Sequence, residues 1–152
     1  MINTLLVAID ATPQHAQVLR EAAELATQCH ARLHVIAVND PVSRNGLVMF
    51  EPVGDYLDDI AREAHEVLAK APAVLAQYGL ECVTHSAHGK AAEEIALLAQ
   101  RLEVDLILIG HRHLSWLDRL FTHSIGGDLL SKAPCNVMVI LHEGAGGEKP
   151  GA

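Results

Sequence analysis

Val104-Asp105-Leu106-Ile107-Leu108-Ile109, then Gly110-His111-Arg112-His113, a segment around Trp116, Thr122-His123-Ser124 and finally Cys135-Asn136-Val137-Met138-Val139-Ile140-Leu141: this stretch decides the fold. It reads as strand, loop, short helix, strand. The first run is almost wholly apolar and rich in branched residues, as a central parallel strand covered on both faces requires. Gly110 follows at its carboxyl end, where ligands sit in open α/β sheets. Backbone N–H groups of this loop, and of the helix start at Ser124, are where a small anion would be held.

Working outward, the chain alternates. Leu5-Leu6-Val7-Ala8-Ile9 is a short buried strand ending at Asp10. Thr12 can cap a helix and Pro13 suits its first turn. Val18, Leu19, Ala22, Ala23, Leu25 and Ala26 keep helical spacing to about His30. Leu33-His34-Val35-Ile36-Ala37-Val38 is a second strand, and residues 41–54 form a loop rich in Pro, Gly and Asn. Residues 55–78 carry a helical stripe through Ile60, Ala64, Val67, Leu68, Ala71 and Leu75, with Pro72 expected to kink or split it. Gly79 suits the position after the helix. Residues 82–87 make a more polar strand, expected at an edge, and Gly89-Lys90 a turn. Residues 91–102 are helical through Ile95, Leu98 and Leu102. The spacing predicts an α/β fold: an open five-stranded parallel sheet with helices on both faces and right-handed crossovers. One domain is expected over residues 1–143, followed by a Gly-rich tail, 144–152, with little to pack and expected to be mobile.

The 152 residues are half hydrophobic and 20% charged, which suits a globular chain. A net charge of −8 argues against nucleic acid or an anionic membrane, both of which need clustered Lys and Arg. Cys29, Cys82 and Cys135 are widely spaced with no CxxC, which fits a reducing cytoplasm. The opening Met1-Ile2-Asn3-Thr4 has no basic leader character and runs straight into a strand. No apolar run approaches the roughly 20 residues a membrane-spanning helix needs.

Three local patterns resemble the universal stress protein family. They are Val7-Ala8-Ile9-Asp10 with Thr12, then Val38-Asn39-Asp40 ending strand two, then the stretch from Gly110 closing in Ala133-Pro134-Cys135-Asn136-Val137-Met138-Val139. The resemblance runs from Thr4 to Leu141. It implies an adenine-nucleotide α-hydrolase-like fold with strand order 3-2-1-4-5, a cytoplasmic stress-response binding or signalling module, and a homodimer paired through strand 135–141. It also implies a nucleotide site over Ala8, Ile9, Asp10, Val38, Ile109, Gly110, His113, His123, Ser124 and Ile125, with Asp10 and Val38 at the base.

Family members that bind ATP carry Gly, two residues, Gly, nine residues, Gly, then Ser or Thr. Here those positions are Gly110, His113, His123 and Ser124, so the loop length is kept and two glycines are gone. A phosphate cradle uses Gly to adopt positive φ without strain and to let backbone N–H approach the phosphates. A His at each place adds a ring and a Cβ. The segment 114–121 is bulky as well, with apolar residues on one helical face. The expectation is therefore a module that does not hold ATP tightly; ATP or AMP binding with slow or no ATPase activity is the alternative. Two rings beside a phosphate site can also donate hydrogen bonds to an anion when protonated.

Ten His are unusual for this length. His111, His113 and His123 suggest a metal reading, but their spacing fits no zinc motif and Arg112 opposes a cation. Asp10 has no nucleophile or base arranged with it, so no catalytic set is read. A response regulator would need acidic residues after strand three, where Ala87-His88-Gly89 stand, and a Lys after strand five, where His142 stands. Ser124 reads as a helix cap, Cys135 as a small buried residue, and Trp116 as core or dimer rim.

Overall fold

The computed structural model describes residues 1–40, 53–110 and 128–141. In chain order it holds β1 (Thr4–Ile9), α1 (His15–Cys29), β2 (Arg32–Asn39), α2 (Val53–Ala76), β3 (Cys82–His88), α3 (Ala91–Arg101), β4 (Leu106–Gly110), α4 (Asp128–Lys132) and β5 (Asn136–Ile140). The five strands form one parallel sheet in the order β3-β2-β1-β4-β5. The tail beyond Leu141 lies outside the described residues.

Period-two alternation divides the core into two layers. Leu5, Val7 and Ile9 of β1 join Val35, Ala37 and Leu108 beneath α1 and α2, against Val18, Leu19, Ala22 and Leu75. Leu6, Ala8, Ile36, Ile107 and Ile109 face the other way, onto Ile95 and Ala99 of α3 and Leu129 of α4. Both faces of β1 and β4 are therefore apolar, which is why their sequences run without polar interruption. The edge strand β3 exposes Val83, Thr84, Ser86 and His88 and half-buries the rest, in keeping with its mixed composition.

Three of the four helix-to-strand turns among the described residues, those after α1, α2 and α3, close in the same way. His30, Gly79 and Glu103 adopt φ of 54°, 73° and 52°. The next amide in each case bonds back across the last turn: Ala31 N to Ala26 O, Leu80 N to Leu75 O and Val104 N to Ala99 O, at 2.9, 3.1 and 3.0 Å. These are Schellman closures, normally built on Gly. Gly79 is the expected one. At His30 and Glu103 the left-handed conformation is imposed on side chains that disfavour it, because the strand must begin at once.

Of the two outcomes expected at Pro72, the split does not occur: helix α2 continues through it. Helix α1 begins at His15, and Thr12 does not cap it.

The amino edge of the sheet is tied by Asp105, whose Oδ2 accepts hydrogen bonds from the amides of Asn3 (2.8 Å) and Thr4 (2.9 Å). Those two bonds hold its carboxyl below the usual Asp range. A lowered folded pKa means the unfolded chain binds the proton more readily. The contribution is thus present above the ordinary Asp pKa of about 3.9 and is lost as pH falls through the folded value. Acid titration of stability in Asp105→Asn is expected to lose part of the wild-type slope below about pH 4; identical slopes would count against this tether.

Candidate functional site

The sheet comes apart at one place. β1 pairs with β2 as far as Ile9↔Ala37, and β4 pairs with β5 as far as Gly110↔Ile140. The β1–β4 ladder, however, runs only from Leu5↔Leu106 to Val7↔Leu108. The last residues of β1 and β4 therefore part, each staying with its outer neighbour. This is also the topological switch point, where the chain order reverses between β1 and β4 and where such sheets take ligands.

Asp10 follows directly on the β1 side. Its Oδ1 accepts from the Thr12 amide at 2.9 Å and from the Thr12 hydroxyl at 2.5 Å. This Asx-type turn is what diverts Thr12 from capping α1. The Thr12 carbonyl then meets His15 Nδ1 at 2.7 Å.

Gly110 stands on the β4 side. A Cβ there would lie 2.8 Å from Gln14 Oε1 and 3.2 Å from Val18 Cγ2. Gly110 does not use the left-handed backbone region, so its need for Gly is one of space. Gln14 is only 3% exposed, and its Nε2 donates to the carbonyl of Ile140 at 3.0 Å. One turn on, Gln17 Nε2 donates to Leu141 O at 2.7 Å. Two glutamines, Gln14 just before α1 and Gln17 in its first turn, thus hold the end of β5, and the first of them packs on Gly110. Sequence reasoning missed Gln14. The signal was present: positions 14, 18, 22 and 26 form one helical stripe whose other members are buried Val18, Ala22 and Ala26.

On the β2 side Val38 packs, half-buried, on the α3 layer. The carbonyl of Asn39 accepts from Gly89 N at 3.1 Å, and Asp40 Oδ2 accepts from Ala91 N at 2.9 Å, supplying α3 with a side-chain partner at its start. Asn39 Oδ1 is buried and has no hydrogen-bond partner among the described residues.

Of the site residues read from sequence, Asp10, Val38 and Gly110 reach the same carboxyl edge. Ala8, Ile9 and Ile109 are sealed in the core, at 3%, 4% and 1% exposure. His113, His123, Ser124 and Ile125 lie outside the described residues, as do His111 and Trp116. Among the described residues no group of three or more His, Cys, Asp and Glu is placed to hold a metal. Cys82 and Cys135 have thiols pushed up chiefly by burial, which opposes nucleophilic use. His34 and His85 stand on neighbouring strands. They meet across β2 and β3, Nδ1 to Nε2, at 3.0 Å. Burial lowers the pKa of both, helped by each other's proximity at His34 and by Arg101 at His85.

The chain belongs to the universal stress protein family, whose model matches residues 1–140. Universal stress protein YxiE of Bacillus subtilis is 28% identical over 147 residues, covering 92% of this chain and 99% of that one. A solved universal stress protein from Burkholderia pseudomallei is 27% identical, with a TM-score of 0.65, covering 91% of this chain and 96% of the other. Another, from Archaeoglobus fulgidus in complex with dAMP, is 25% identical with a TM-score of 0.63, covering 92% and 99%. No helix among the described residues is long and apolar enough to cross a membrane.

Proposed function

We propose that this universal stress protein is a dimeric, cytoplasmic stress-response module whose crevice accepts the base and sugar of an adenine nucleotide with few phosphates, without holding ATP tightly. The carrying observation is the parting of β1 and β4 beyond Val7↔Leu108, at the strand ends that carry Asp10 and Gly110. The Archaeoglobus fulgidus relative in complex with dAMP, a monophosphate, supports a nucleotide in this fold. Against a polyphosphate tail stand Gln14, packed on the remaining Gly of the loop pattern, and the imidazoles at 113 and 123.

The dimer is supported by the free edge of β5. There Met138 is 41% and Leu141 66% exposed, beside half-buried Val137 and Val139. An apolar edge strand needs cover. No catalytic role is assigned to Asp10, whose Oδ1 is engaged by Thr12.

Calorimetry with AMP, ADP and ATP tests the nucleotide reading. The wild type is expected to bind AMP at least as well as ATP. Replacing both His113 and His123 by Gly is expected to raise ATP affinity about tenfold, equivalent to about 1.4 kcal/mol. Unchanged ATP affinity in a folded double variant removes the steric account. Light scattering that gives a monomer at micromolar concentration removes the dimer.

A further inference from the structure

We propose that His34 and His85 form an acid-operated latch on the edge strand β3: the hydrogen bond they share survives uptake of one proton by the pair and is broken by a second. The rings meet at 3.0 Å, His34 Nδ1 to His85 Nε2, with centroids 5.2 Å apart. That contact has room for one hydrogen. In the neutral pair one inner nitrogen carries it and the other accepts, whichever tautomer is present. The outer nitrogen of the donor ring is then bare. A first proton goes there, and the bond persists as a charge-assisted one. A second proton finds only the accepting inner nitrogen. It sets N–H against N–H and cation against cation.

The surroundings do not offset those charges. By alternation both rings lie on the α3 side of the sheet, with Ile36, Val38 and Ala87. The next strand in, β1, sets Leu6 beside His34. The other charges acting on the pair are cationic: Arg32 of β2 and Arg101 in the last turn of α3. Glu81, just ahead of β3, and Glu103, just after α3, make no ion pair with either ring. Burial first, then the partner ring and Arg32 for His34 and Arg101 for His85, hold both below the usual His value of 6.5. The unfolded chain therefore takes up protons more readily than the folded one. The pair's contribution is whole above that value and is lost as pH falls through the folded values.

The position of the pair makes the response local. β3 is the outermost strand, and its one neighbour in the sheet is β2. Val83, on the same face as His85, is 53% exposed, so water reaches this edge. A strand with a single neighbour opens at less cost than a central one. Two imidazolium charges loosen β3 from β2, while β1 and β4, covered on both faces, stay paired. β3 runs into Gly89, whose amide bonds Asn39 O, so the strand that loosens also frames the carboxyl edge.

The test is amide hydrogen exchange of the full chain, read by NMR between about pH 8 and about pH 5, the range in which His changes charge. Protection is corrected for intrinsic rates, and wild type is compared with His34→Gln and His85→Gln. In wild type, protection of the β3 amides is expected to fall about tenfold more than that of β1 and β4 as the pH drops. Either Gln variant can gather only one proton and should show less than about a threefold difference. If one variant does not fold, the other carries the comparison. Titration of the ring C–H signals in wild type is expected to show two separate steps, both below the usual His value, and it decides the matter if neither variant folds. The latch is overturned if β3 protection in wild type tracks that of β1 and β4, if a Gln variant loses as much as wild type, or if both rings titrate together at the usual value.

Discussion

Gly110→Ala is expected to destabilise the protein by about 1–3 kcal/mol, the usual cost of forcing extra volume into a packed site. The new methyl would stand 2.8 Å from Gln14 Oε1, and the amide cannot swing away freely, because its Nε2 is bonded to Ile140 O. Either the bond breaks or β4 and α1 move apart. Gln14→Ala alone leaves the Ile140 carbonyl short of a partner, at about 1–3 kcal/mol. The double variant should cost less than the sum of the two, because removing the amide makes room for the methyl. Urea unfolding of the four proteins measures the cycle. A cost below about 0.5 kcal/mol for Gly110→Ala, within the range of ordinary surface changes, would mean that the glycine is not needed for space.

Leu108→Ala is expected to cost more, about 2–5 kcal/mol. Leu108 is wholly buried in the layer with Leu5, Val7, Val18 and Leu19, at the centre of the sheet. Facing helices cannot collapse onto a hole in a strand that is itself pinned by neighbours on both sides. Leu108 also pairs with Val7 on the last rung before β1 and β4 separate. Loosening that rung should weaken AMP binding in addition to lowering the unfolding midpoint. Leu97→Ala is the control: Leu97 lies on the outer side of α3, 54% exposed, and its loss should stay within about 0.5 kcal/mol. Similar costs for the two leucines would contradict the assignment of the core.

The contrast between these leucines shows which parts of the molecule could be read in advance. Strand identity followed from unbroken apolar runs such as Leu106 to Ile109, and helix faces from the spacing of Val18, Ala22 and Ala26. Both depend on periodicity, which a sequence displays directly. Places governed by particular contacts, near or far along the chain, were not legible. Thr12 looks like a helix cap until Asp10 takes its amide and hydroxyl. Gly110 looks like a phosphate-loop glycine until Gln14 is seen packed on it. Pro72 looks like a break, yet it lies inside a helix that packs Leu68, Ala71 and Leu75 on the sheet. His30 and Glu103 carry no local sign of a left-handed turn, since the demand comes from the strand that follows each. The carboxyl edge was legible as a location. Asn39 was read only as part of the family pattern, because an unmet oxygen is a property of surroundings and not of spelling.

The three matching turns at the amino edge have an evolutionary corollary. That rim is riveted shut with almost no slack, so length changes there would tear strand from helix. The chain leaves β2 and β4 at the opposite rim. New ligand tastes can be acquired by rewriting that rim while the rivets keep the fold intact.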